Sequence, residues 1–141
     1  MKRNIILIVL AAFTLFSCAN KKMVTTKDTS LNGTWELNYI SGPRIVFEGL
    51  YPDRKPTLIF DIEENRVSGN SSCNSFNGDL KIEGNKIDFN SPMAMTKMFC
   101  PGEGENVFIE SLKKVNSYSV TDGNTLNLIM GDIAIMRFTK K

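Results

Sequence analysis

Alternation of apolar and polar residues predicts several short β-strands along this chain. Residues 34–40 place Trp35, Leu37 and Tyr39 on one face and polar side chains on the other, which is typical of a half-buried antiparallel strand. The same period recurs in residues 57–62, 66–70, 80–82, 87–89, 118–120, 126–130 and 133–139. The last of these is apolar on both faces, which predicts an interior position in the sheet or a covering helix.

Residues 103–116 change to a helical period. Phe108, Leu112 and Val115 fall at i, i+4 and i+7, with acidic residues before them and lysines in the last turn, as the helix dipole favours. This is the one helix that the sequence predicts. Residues 41–56 are rich in glycine and proline and predict a loop. Its apolar side chains suggest either a lid packed on the sheet, the favoured interpretation, or a binding surface.

These elements predict a mostly β fold of the α+β type. We expect a curled antiparallel sheet, or a partly open barrel, of about eight short strands with one helix packed on it. A chain of 141 residues holds one domain, and the periodic segments place that domain at residues 31–141.

The start of the chain has the pattern of an export signal. Lys2 and Arg3 precede an apolar run of about twelve residues, which is shorter than the roughly 20 that a bilayer span needs. The run ends in LFSC at residues 15–18, which resembles the lipobox of bacterial lipoproteins. In those proteins the cysteine is acylated and the chain is cut just before it. The alternative is a plain signal peptide with an incidental cysteine at Cys18.

The lipobox resemblance divides the N-terminal region into two parts. Residues 1–17 are predicted to be a lipoprotein signal peptide, and residues 18–30 a lipidated N-terminus, with palmitate or a similar acyl chain on Cys18, followed by a flexible polar tether. The residue after Cys18 is Ala19, which is not acidic. By analogy with lipoproteins of diderm bacteria, this predicts a lipid-anchored protein of the cell envelope, at the outer membrane.

Charge and composition exclude several functions. The chain has 17 basic and 15 acidic residues, and the two counts become equal once Lys2 and Arg3 are removed. A neutral domain gives no electrostatic case for nucleic acid binding. The absence of histidine from the sequence excludes Ser/His/Asp and Cys/His catalysis and zinc sites that need imidazole.

Carboxylates are the remaining candidates for catalysis. Acid/base pairs would have to come from a set of strand and turn residues: Asp61, Glu63, Glu64, Asp79 and Asp88. Most of these alternate with core residues, as solvated strand faces do. We therefore expect neither an enzyme nor a cofactor.

The most specific motifs are VSGNSSCNSFNG at residues 67–78 and MAMTKMFC at residues 93–100. They resemble the two signatures of the META domain family, which includes heat-shock envelope lipoproteins of the HslJ type. Its pattern is a GxxxCNxxxG segment, a variable hairpin, an mT(K/R)MxC segment and a helix. The matching signature positions are Gly69, Asn74, Gly78, Met95, Thr96, Lys97 and Met98. Lys97 stands where the family often has arginine, which weakens a bidentate carboxylate contact there.

The resemblance implies a fold and a class of function. Family members resemble a partly open β-barrel closed by a helix, a type of fold shared with secretion pilotins, which bind lipid or a partner's tail. No enzymatic activity is implied. The expectation is a stress-related envelope-maintenance module that binds an apolar ligand or a partner protein. Residue type also gives physical reasons for the motif. Gly69 and Gly78 allow positive φ or a close approach of the backbone. Asn74 and Asn77 can hydrogen-bond their own backbone and hold the loop.

Two cysteines, Cys73 and Cys100, follow Cys18. With Cys18 acylated they form the one possible pair, and the envelope permits disulfides. A disulfide between them would add roughly 3–4 kcal/mol to the free energy of unfolding.

Methionine sulfurs in the second motif give an alternative. Met93, Met95 and Met98 together with Cys100 would offer soft ligands for Cu(I), in a copper-binding or thiol-redox envelope protein. The bland interpretation is that these methionines fill irregular gaps in the core. A disulfide at Cys100 would remove the thiolate, so the two alternatives depend on whether the cysteines are bonded.

Overall fold

A computed structural model describes residues 28–141 of the chain. The predictions for the signal peptide, for lipidation at Cys18 and for most of the tether lie outside the described residues. No helix within residues 28–141 has the length and apolar character needed to cross a membrane.

Ten strands form one sheet in which all neighbours are antiparallel. The strands are β1 Gly33–Ile40, β2 Thr57–Asp61, β3 Arg66–Asn70, β4 Ser75–Asp79, β5 Lys81–Glu83, β6 Lys86–Asp88, β7 Met93–Met95, β8 Ser117–Thr121, β9 Thr125–Met130 and β10 Ile133–Lys140. Their order in the sheet is β5-β6-β8-β9-β10-β1-β2-β3-β4-β7. The first and last strands are therefore neighbours in the middle of the sheet.

Residues 28–141 contain three helical elements, whereas the sequence predicted one. A 3-10 turn at Thr29–Leu31 leads into β1, α1 is Phe47–Leu50, and α2 is Gly104–Lys114. The predicted helix is α2. The short α1 lies in a segment predicted to be a loop, because one helical turn flanked by prolines gives no periodic signal.

The sheet curls around α2. Phe76 on β4 and Phe138 on β10 lie on strands that are separated by three others. Both rings nevertheless contact Phe108 of α2, with centroids 6.1 Å and 6.5 Å away. Phe108 is fully buried. The predicted fold class is thus confirmed, as a curled half-barrel of ten strands with a helix in its concave side.

A β-bulge explains the apolar pattern of β10. The register of β10 against β9 shifts between Ala134 and Met136. The consecutive side chains Ile135 and Met136 are both buried, because the extra residue of a bulge breaks the strict alternation of faces. The strand pairs with β9 on one side and β1 on the other, so its predicted interior position is confirmed.

Strands β4 and β7 account for the difference between ten strands and the predicted eight. Along β4 the buried positions are Phe76 and Gly78, so the inward face carries one apolar side chain and one glycine. In β7 the sequence MAM is too short and too uniformly apolar to show a period. Both strands extend the sheet beyond β3, in the region of the two family motifs.

Candidate functional site

The two family motifs meet at one corner of the sheet. Residues 69–78 form the end of β3, a loop and β4, and residues 93–105 form β7 and the connection into α2. We call these residues the signature corner. Strand β7 pairs with β4, which brings the second motif alongside the first.

The buried side chain of Asn74 joins the two motifs. Its Oδ1 accepts hydrogen bonds from the Thr96 hydroxyl at 2.7 Å and from the Met98 backbone N–H at 2.8 Å. Its Nδ2 donates to the Met98 carbonyl at 3.1 Å and to Glu105 Oε1 at 3.0 Å, and lies 3.1 Å from Cys100 Sγ. One amide therefore satisfies both backbone groups of Met98. These bonds reach across the chain, whereas the sequence predicted bonds to the asparagine's own backbone.

Glu105 ties the first turn of α2 to the same loop. Its Oε2 accepts from the Asn74 backbone N–H at 3.1 Å and from the hydroxyl of Ser71, which is fully buried. The Ser71 N–H in turn donates to the Asn74 carbonyl at 2.8 Å. The sequence indicated only a helix-dipole role for Glu105, and the acidic position in a first turn gives no further signal.

A disulfide closes the signature corner. Cys73 and Cys100 are bonded, with their Cα atoms 6.0 Å apart. The two sulfurs and a carboxylate oxygen of Glu105 all lie within 4.8 Å of one another. Because each sulfur is used in the bond, Cys100 has no thiolate for a metal ion in this structure.

Gly69 and Gly78 stand where neighbouring chain segments come very close. A Cβ atom on Gly69 would lie 2.0 Å from the Thr57 carbonyl oxygen on β2. One on Gly78 would lie 3.0 Å from Cγ of Met93 on β7. The close approach that the sequence suggested as one role for these glycines is present at both positions.

The second motif ends in an exposed pair of apolar side chains. Met98 is 61% exposed and Phe99 is 93% exposed; we call them the apolar tip. Asn74 holds the backbone of Met98 on one side, and the disulfide fixes Cys100 on the other. Lys97, which precedes the tip, is also exposed. The tip is thus presented to solvent on a fixed backbone.

The methionines of the second motif do not share one environment. Met93 and Met95 are half-buried and pack against the hydrophobic core. Met98 points to solvent. This arrangement agrees with methionines as core filler at two of the three positions.

A cleft of about 200 Å³ lies beside the disulfide. One wall comes from the segment after α1, with Tyr51, Asp53 and Arg54, and the other includes Cys100 and Pro101. Burial raises the pKa of the Tyr51 hydroxyl.

Gly104 allows the two walls of the cleft to meet. A Cβ atom on Gly104 would lie 2.3 Å from the Leu50 carbonyl oxygen. The Tyr51 hydroxyl donates to the Gly104 carbonyl at 3.1 Å. The apolar segment 41–56 therefore acts in part as the predicted lid, with Leu50 and Tyr51 buried and Ile45 and Val46 exposed.

The acidic residues that were considered for catalysis lie on the surface. Asp61, Glu63, Glu64 and Asp79 are exposed, and Asp88 is half-exposed. Hydrogen bonds from the backbone and side chain of Asn90 lower the pKa of the Asp88 carboxyl. The exposure of these carboxylates is typical of solvated residues on strand faces and in turns.

Comparisons with known proteins identify the type of domain. A sequence model of the META domain matches residues 27–141. A protein from Burkholderia xenovorans, solved by NMR, has a similar fold with a TM-score of 0.61 at 17% identity, over 82% of this chain and 88% of that one. A DUF4847 family protein from Bacteroides vulgatus, solved by crystallography, has a TM-score of 0.56 at 13% identity, over 82% and 96% of the two chains. The comparison with curated proteins gave no match.

Proposed function

This chain belongs to the META domain family, and from that premise we propose that it is a non-enzymatic binding module of the cell envelope. It is anchored by lipid on Cys18, at the outer membrane. Its binding partner is an apolar ligand or another envelope protein, and its role is envelope maintenance under stress. The charged start, the short apolar run and the LFSC sequence support export and anchoring.

The observation that carries the binding proposal is the apolar tip. Single exposed apolar side chains are common on protein surfaces. An exposed phenylalanine on a fixed backbone is nevertheless suited to binding, because little backbone entropy is lost when it is buried. The Asn74 hydrogen bonds and the disulfide supply that fixed backbone. The adjoining cleft offers a concave surface beside the projecting ring.

The polar groups of the signature corner favour a structural role over catalysis. The Glu105 carboxylate accepts hydrogen bonds from Ser71 and from both the backbone and the side chain of Asn74. The Glu105 carboxylate thus holds the loop of residues 71–74 to the first turn of α2. The copper or thiol-redox alternative requires free thiols or a disulfide that is easily reduced, and Cys73 and Cys100 are bonded.

Binding can be tested with a hydrophobic fluorescent dye. The chain of residues 19–141 should enhance the fluorescence of anilinonaphthalene sulfonate, and Phe99→Ser should remove most of that signal. Ile133→Ser is the matched control, because Ile133 is 62% exposed but lies at the start of β10. Equal loss of signal in both variants, or no dye binding by the wild type, would contradict the proposal.

Anchoring has a separate test. Cells that express the full chain and are fed labelled palmitate should incorporate the label into the wild type, and the protein should sediment with the outer membrane. Cys18→Ser should lose the label and leave the membrane fraction, since acyl chains supply the membrane affinity. Labelling that persists in the variant would show that Cys18 is not the lipidated residue.

A further inference from the structure

We propose that two copies of this chain associate through the signature corner, each placing Phe99 in the cleft of the other. This inference rests on the proposed binding function and names a second copy of the chain as the partner.

A projection and a cavity lie side by side on one face of the molecule. Phe99 projects to solvent and is followed directly by Cys100 and Pro101, which line the cleft. A two-fold symmetric interface uses the same patch on both subunits. A projecting side chain next to a cavity is self-complementary under that symmetry, because each copy supplies what the other receives.

The cleft suits a phenyl ring in size. Its volume is about 200 Å³, whereas a cavity of about 150 Å³ is enough to hold benzene. Pro52 and Pro101 are the exposed apolar side chains in its lining, whereas Leu50 and Tyr51 behind them are buried.

Charge on the two sides of the contact is complementary. Lys97 stands two residues before the projecting ring and is exposed. The cleft is lined by Asp53 and Glu105 against one cation, Arg54. Under two-fold symmetry, Lys97 of each copy therefore faces the net acidic cleft of the other copy. The same acidic side chains would disfavour docking of this face on anionic lipid.

The predicted association is weak. One phenylalanine buries about 150–250 Å², so two inserted rings with their surroundings fall at the low end of specific interfaces, below about 1,200 Å². We expect a dimer that forms at micromolar or higher concentrations rather than an obligate one.

Sedimentation velocity tests the dimer directly. All core residues of the described part lie between Leu31 and Phe138, so a chain of residues 19–141 contains a complete core. From about 1 µM to 1 mM, its sedimentation coefficient should rise from the monomer value towards that of a dimer. Phe99→Ser should weaken the association at least roughly a hundredfold, since two anchors are lost per dimer. Ile133→Ser should associate like the wild type.

Charge reversal gives a second test that does not depend on the aromatic ring. Lys97→Glu and Asp53→Lys are both at exposed positions. Each variant alone should associate about tenfold more weakly at low salt. An equimolar mixture of the two should recover wild-type association, because a heterodimer restores opposite charges at both contacts.

Three results would overturn the inference: a wild type that stays monomeric throughout, a Phe99→Ser variant that still dimerises, or a charge-reversed mixture that associates no better than either variant alone. A chain that is monomeric but binds the dye through Phe99 would overturn the dimer and leave the proposed binding function intact. A chain that dimerises without binding the dye would leave the dimer intact and contradict the proposed binding of an apolar ligand.

Discussion

The middle of the sheet and the signature corner are stabilised in different ways. In the middle, β9, β10 and β1 bury large apolar side chains such as Trp35 and Phe138, and the Phe138 ring contacts Phe108 of α2. At the corner, the buried Asn74 amide and the buried Ser71 hydroxyl donate hydrogen bonds to the Glu105 carboxylate. A disulfide closes the loop. Apolar burial is non-directional and tolerates substitution by residues of similar volume. A hydrogen-bonded corner instead depends on the identity of each side chain.

Removal of the Phe108 ring should have the largest effect and should reach both regions. Phe108→Ala loses ring contacts to Phe76 on β4 and to Phe138 on β10. The expected loss is about 3–5 kcal/mol in the free energy of unfolding, measured by urea denaturation. Phe99→Ala removes the same side chain from an exposed position and should change stability by about 0.5 kcal/mol or less. Similar losses in the two variants would mean that Phe108 does not join the two regions.

Removal of the Asn74 amide should have a smaller effect, confined to the signature corner. Asn74→Ala removes the partners of both Met98 backbone groups and one of the donors to the Glu105 carboxylate, at an expected cost of about 2–3 kcal/mol in the free energy of unfolding. Hydrogen exchange should show lost protection at Met98 while the amides of β1 and β10 stay protected. The control is Asn77→Ala, because the exposed Asn77 side chain accepts one bond from Arg66. Uniform loss of protection across the sheet would show that the corner is not an independent unit.

The contrast between apolar burial and hydrogen bonding also explains which elements of the fold can be predicted from the sequence. Strands β1, β2 and β9 and helix α2 follow from apolar periodicity, because most of their inward positions carry apolar side chains. Strand β4 was missed because glycine takes one of its two inward positions. The sequence indicated the pairing of the cysteines and the close approach at the glycines, since both follow from residue type.

The hydrogen-bond partners of the corner have no such signal. Asn74, Ser71 and Glu105 are common polar residues, and their spacing of up to 34 residues becomes a contact only once β7 pairs with β4. Long-range polar contacts of this kind depend on the finished topology rather than on local pattern. For the same reason the sequence groups Met98 with the other methionines and assigns no role to Phe99, because exposure is a property of the folded corner.

The adjacency of β1 and β10 has a consequence for when this protein can fold. Strand β1 lies between β2 and β10, so one of its two edges is paired by the last strand of the chain. Lys141, just after β10, also donates its backbone N–H to the Thr34 carbonyl. A nascent chain that still lacks β10 has no partner for that edge of β1, and closing so long a loop is slow. The domain can therefore complete its sheet only after β10 has been synthesised, and until then one edge of β1 stays unpaired.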